Sequence, residues 1–99
     1  MKPSTILYRA RKLIPDEEHW VQGTLYDHSV PGLPRYCMVG AVGAAARDVI
    51  AQGRMPRQYL RRIIKELRPA MWNDAPGRTW EEVDAALLSA ARLARSEGQ

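Results

Sequence analysis

The sequence predicts a mainly α-helical fold, a compact bundle of about four helices forming one domain over residues 1–99. Three observations point there. Apolar residues recur at three- and four-residue intervals in four separate stretches. Helix punctuation falls between those stretches: capping residues, glycines and prolines. A chain of 99 residues can also bury one core but not two.

In the first stretch Ile6, Leu7, Ala10, Leu13 and Ile14 share a helical face, with Ser4 or Thr5 placed to cap it and Pro15 to end it. Arg9, Arg11 and Lys12 fall on the wet side. Residues 16–35 break the pattern. The segment HWVQGTLYDHSVPGLPRY carries Pro31, Gly32 and Pro34, which force a turn near 31–34. Trp20 to Tyr26 is rich in strand formers, so a short hairpin or extended segment is expected within 20–36.

A second helix is expected from Tyr36 to Gln52, with Val39, Val42, Ala46, Val49 and Ile50 as its large stripe. Its other face, Cys37, Gly40, Ala41 and Ala44, is almost bare. An interior helical glycine costs about 1 kcal/mol relative to alanine. Gly40 and Gly43 therefore make sense if a backbone or a large ring lies against them. Trp20, Trp72 and Trp80 are the candidate rings, and these groups are expected to meet.

Gly53 closes that helix and Pro56 opens a third, whose buried stripe is Leu60, Ile63, Ile64 and Leu67. Thr79 and Glu82 form a capping box for a fourth, continued by Trp80, Val83, Leu87 and Ala94. Ala75-Pro76-Gly77-Arg78 reads as a type II turn in front of it. The tail, residues 96–99, is expected to fray.

Composition sets the class. Apolar residues make up 45% and charged residues 26%, as in folded globular domains. The single cysteine excludes an internal disulfide and fits a reducing, cytoplasmic setting. The N-terminus lacks a signal-peptide pattern, and the most apolar run, Tyr36 to Ala46, is far shorter than the roughly 20 residues of a membrane span. The net charge of +4 is concentrated: Arg54, Arg57, Arg61, Arg62, Lys65 and Arg68 face only Glu66 within residues 54–68.

Cys37, at a helix start, could be activated by the dipole, with His19 or His28 as base and Asn73 as orienter. No signature surrounds it, and a small buried cysteine is the preferred reading. His19, His28 and Cys37 match no zinc spacing, even with Asp16 or Asp27 added, so no metal and no cofactor is expected. The basic segment can attract phosphate. A helix-turn-helix register through Gly53, however, places Arg62 where an apolar residue belongs. An acidic protein surface is the expected partner, with nucleic acid the alternative. Asn73, Asp74 and Arg78 form a possible ligand surface, Asp74 pairing with Arg78 to fix the loop.

Three motifs in order, Trp20-x-Gln22-Gly23, Cys37-x-x-Gly40-Ala41 and Trp72-Asn73-Asp74-x-Pro76-Gly77-Arg78-Thr79 with Glu82, resemble an uncharacterised family of small actinobacterial and actinophage proteins, a domain of unknown function. The resemblance implies a compact, mostly helical domain and carries over no catalytic residue. The 54–68 segment lies outside those motifs. Together these readings favour a non-enzymatic interaction or regulatory protein, perturbing a host factor if phage-encoded. A nucleic-acid-binding protein and a Cys37-dependent enzyme are the alternatives.

Overall fold

The computed structural model describes residues 1–46 and 54–99, the side chain of Arg54 excepted. Helix α1 spans Pro3–Leu13. It begins before the expected Ser4 or Thr5 cap because Pro3 itself occupies the first turn, where its missing N–H is no loss. Ser4 turns inward instead. Its N–H and hydroxyl both donate to the Gln99 carbonyl, at 3.2 and 3.1 Å. The Gln99 N–H in turn donates to the Ala94 carbonyl at 2.8 Å, so the tail is tied to the start of α1 where fraying was expected.

A single 3-10 turn, Glu17–His19, follows, capped by Asp16. The extended segment condenses to a two-residue hairpin. Strand β1 (Tyr26–Asp27) pairs antiparallel with β2 (Arg35–Tyr36), matching Tyr26 with Tyr36 and Asp27 with Arg35. Between them the Leu33 N–H donates to the Val30 carbonyl at 3.1 Å, with Gly32 at φ +76°. Pro31-Gly32 thus supplies the fixed φ and the left-handed residue of a type II turn. Trp20 adds an isolated parallel bridge to Tyr36.

Helix α2 is Met38–Ala46 within the described residues; Val49, Ile50, Gln52 and Gly53 lie outside them. Helix α3 runs Arg54–Ile64, α4 Pro69–Asp74 and α5 Trp80–Ser96. Helix α1 packs against both α2 and α5, and α3 closes on α5. The core joins Ile6, Leu7, Ala10 and Ile14 to Met38, Ala41 and Val42, to Tyr59 and Leu60, and to the Val83, Leu87, Ala90, Ala91 and Ala94 face of α5.

Two expectations about the third helix are corrected. It stops at Ile64, because Lys65 adopts the left-handed conformation at φ +56°. The helical stripe therefore loses its phase, and Leu67, expected in the core, is 82% exposed. The short α4, with Pro69 in its first turn, was not anticipated as a helix. At the other end of that loop the local signals hold. The Arg78 N–H donates to the Ala75 carbonyl at 3.0 Å with Gly77 at φ +80°, and Thr79 and Glu82 complete the capping box.

Candidate interaction surface

The expected meeting of indoles with the bare face of α2 is not what the structure contains. A Cβ on Gly40 would lie 1.9 Å from the Leu25 carbonyl oxygen, so backbone fills that notch. The same carbonyl accepts the Cys37 N–H at 3.0 Å, which fixes its close approach. The three indoles go to separate seams. Trp20 donates from Nε1 to Asn73 Oδ1 at 2.7 Å. Trp80 donates to the Ile14 carbonyl at 2.8 Å. Trp72 lies beside Ile63 and Ile64 and is covered by Arg78, whose Cζ sits 3.8 Å from the ring centroid.

Asn73 is the joint of the irregular half. It is 0% exposed, so it is not a displayed ligand contact. Its Oδ1 accepts from both the Trp20 indole and the Met38 N–H (3.1 Å) at the start of α2, and its Nδ2 donates to the Val21 carbonyl at 3.2 Å and to Asp74 Oδ1 at 2.9 Å. Gln22 Nε2 donates to the Asn73 carbonyl at 2.9 Å, and the Gly23 N–H to Asp74 Oδ1 at 3.0 Å. One amide therefore satisfies an orphan donor of α2 and clamps the Trp20–Gly23 segment to α4. Asp74 spends its carboxylate on that clamp and does not pair with Arg78. Arg78 donates instead to the Trp72 carbonyl and to Glu82, both at 2.9 Å. The Thr79 N–H first, then Arg78, hold the Glu82 carboxyl below its usual range.

Cys37 caps the other side of the same helix start. Its Sγ accepts the Gly40 N–H at 3.3 Å, and the residue is 2% exposed. Burial pushes its thiol pKa up, outweighing the backbone donors that would lower it. No imidazole bonds the sulfur among the described residues. His19 bonds Asp16 at 2.6 Å, and His28 lies tilted beside Tyr26 and edge-on to Tyr36. The three thus do not form a thiol–base pair.

The structure divides the basic segment. Arg62 is committed to Glu97, at 2.7 and 3.0 Å, and lies over the Tyr59 ring. Arg57 faces α2. Arg61, Lys65 and Arg68 surround the turn between α3 and α4, where the Arg61 Nε donates to the Leu67 carbonyl at 2.9 Å. Arg68 reaches Met71 Sδ at 3.7 Å, and Met71 is itself 58% exposed. Two apolar side chains thus project among three cations. Sequence reasoning missed this apolar component, since only the position of the α3 stop reveals it. It also missed the aromatic row of Tyr26, His28 and Tyr36, for which the only signal was the Y-x-H spacing.

These features define a class: a small helical domain whose most distinctive motif residues serve as internal joinery, and whose uncommitted groups lie on its surface. Among the described residues no helix is long and apolar enough to cross a membrane. The chain belongs to DUF6197, a family of unknown function, whose model matches residues 1–93. No curated protein and no solved structure matches it.

Proposed function

We propose that this DUF6197 protein is a non-enzymatic interaction module that docks an acidic protein through the α3–α4 turn. The observation that carries the reading is Leu67, 82% exposed and flanked by Lys65 and Arg68. A lone exposed leucine is ordinary on a protein surface. Here Met71 extends it, and Arg61 fixes the turn through the Leu67 carbonyl. An apolar centre rimmed by cations suits a partner that offers an apolar pocket edged with carboxylates. Lys65 supports this further. A left-handed lysine costs about 1–2 kcal/mol, which glycine would avoid, so the cation is kept at the expense of stability.

The arrangement around Cys37 disfavours cysteine chemistry, since a buried thiol of raised pKa lacks the thiolate that such chemistry requires. The resemblance to actinobacterial and actinophage proteins makes the partner a host factor in this reading if the protein is phage-encoded. Affinity capture from that host tests it, using wild type, Leu67→Ser and a Lys65→Glu/Arg68→Glu double variant. One acidic protein should be lost with both variants. Equal capture by all three would refute the proposal. Loss with the charge variant alone, together with a salt-steep mobility shift on duplex DNA, would select the nucleic-acid alternative.

A further inference from the structure

We infer that the open side of α2 is a binding site for a small aromatic anion, an aryl carboxylate of about two rings. The site is separate from the Leu67 turn. It is a cavity of about 370 Å³ between the hairpin and the middle of α2, edged by Arg57. A dry cavity of about 150 Å³ takes a single benzene ring, so this one has room for a bicyclic body and its anionic group. The volume also falls within the range of small-molecule sites.

Its floor is Gly40, Gly43 and Ala44. Gly40 is explained by the Leu25 backbone, but a Cβ on Gly43 would meet nothing within 4 Å. An interior helical glycine therefore weakens α2, and no described part of the chain uses the space it leaves. A flat ring laid on that backbone would use it. The wall is a row of aromatics: Tyr26 and His28 have centroids 5.1 Å apart, and His28 meets Tyr36 edge-on at 5.5 Å and 82°. Tyr26 is 59% exposed, an open ring surface beside the cavity. Such rings accept another aromatic in offset or edge-on contact.

Rings in a row can also cage a cation, and the charges decide between the two. Among the described residues no carboxylate lines the cavity, and the neighbouring Asp27 is already paired with Arg35. Arg57 is half-buried at the rim and has no ion pair or hydrogen bond among the described residues. An ammonium would meet the like charge of that guanidinium, whereas a carboxylate would accept two of its N–H donors in the bidentate geometry that favours arginine.

A ¹H–¹⁵N NMR titration of the whole protein with 2-naphthoate tests the assignment. Saturable shifts should centre on Tyr36, Gly40, Gly43 and Ala44 and spare Leu67 and Met71. Arg57→Gln should weaken binding at least tenfold, and uncharged naphthalene-2-methanol should bind wild type as weakly. Gly43→Val should block the floor while leaving the fold intact, since no described atom lies within 4 Å of a Cβ placed there. The proposal is overturned by absent or scattered shifts, by affinity unchanged in Arg57→Gln, or by tighter binding of a naphthyl trimethylammonium than of the carboxylate. If Gly43→Val fails to fold, Arg57→Gln, a change at the rim, decides the matter alone.

Discussion

Truncating Asn73 to alanine should cost far more than a surface polar residue would. The substitution deletes four hydrogen bonds at once. It strands the Trp20 indole N–H, the Met38 N–H and the Val21 carbonyl; Asp74 retains the Gly23 N–H and solvent. A typical intramolecular bond is worth about 1 kcal/mol net, and a buried group left without a partner loses about 1–3 kcal/mol. Three stranded groups, one of them at a helix N-terminus, place the loss at about 3–5 kcal/mol. In a domain of this size each kcal/mol moves the melting midpoint by about 4–8 °C, so the midpoint should fall by more than about 10 °C. Urea unfolding followed by far-UV circular dichroism measures the free energy. Trp20→Phe, which removes the indole donor alone, should be sub-additive with Asn73→Ala by about 1 kcal/mol because the two share a bond. A loss under about 1 kcal/mol, or full additivity, would refute the idea that this amide joins α2, α4 and the Trp20–Gly23 segment.

Three further outcomes follow from neighbouring geometry. Gly40→Ala should destabilise by at least about 1–3 kcal/mol, because its methyl meets a carbonyl that is itself held in place. Gly43→Ala should stabilise by up to about 1 kcal/mol, and thermal melts of the pair check the contrast. Asp27 is held down to about 2 from 3.8, chiefly by Ser29 and then by Arg35, while Asp16, Glu82 and Glu97 are also lowered. Their folded pKa values lie below the unfolded ones, so their stabilisation is complete above the ordinary carboxylate range and is lost as pH falls toward 2. Urea midpoints should hold from neutrality to about pH 5 and then drop, less steeply in Asp27→Asn. Cys37 should resist iodoacetamide at neutral pH until denaturant is added, and rapid labelling of the native protein would count against its capping role.

What could be read from the sequence was what is local. The capping box, the Pro76-Gly77 turn and the Pro31-Gly32 turn each depend on residues three or four apart, and each formed. The helical bundle was legible from periodicity for the same reason. Leu67 was misplaced because periodicity assumes an unbroken helix, and a single left-handed lysine two residues earlier ended it. Helix α4 spans six residues, too few for a period to register. Asn73 read as a turn residue because its partners lie 35 to 53 positions away, invisible without the fold. The same distance effect sent the indoles to the wrong place. Gly40 did announce a close approach, but the sequence left open whether ring or backbone would make it.

The separation between joinery and contact surface is tested most directly by amide hydrogen exchange on the protein bound to its captured partner. Protection should be gained at Lys65 to Met71 and along the exposed side of α3. The amides of Gly23, Met38 and Arg78 are already bonded internally and should not change. New protection centred on Trp20–Gly23 and Asp74–Arg78, with residues 65–71 unaltered, would mean that the tryptophan-asparagine-aspartate segment meets the partner and that the surface was wrongly placed.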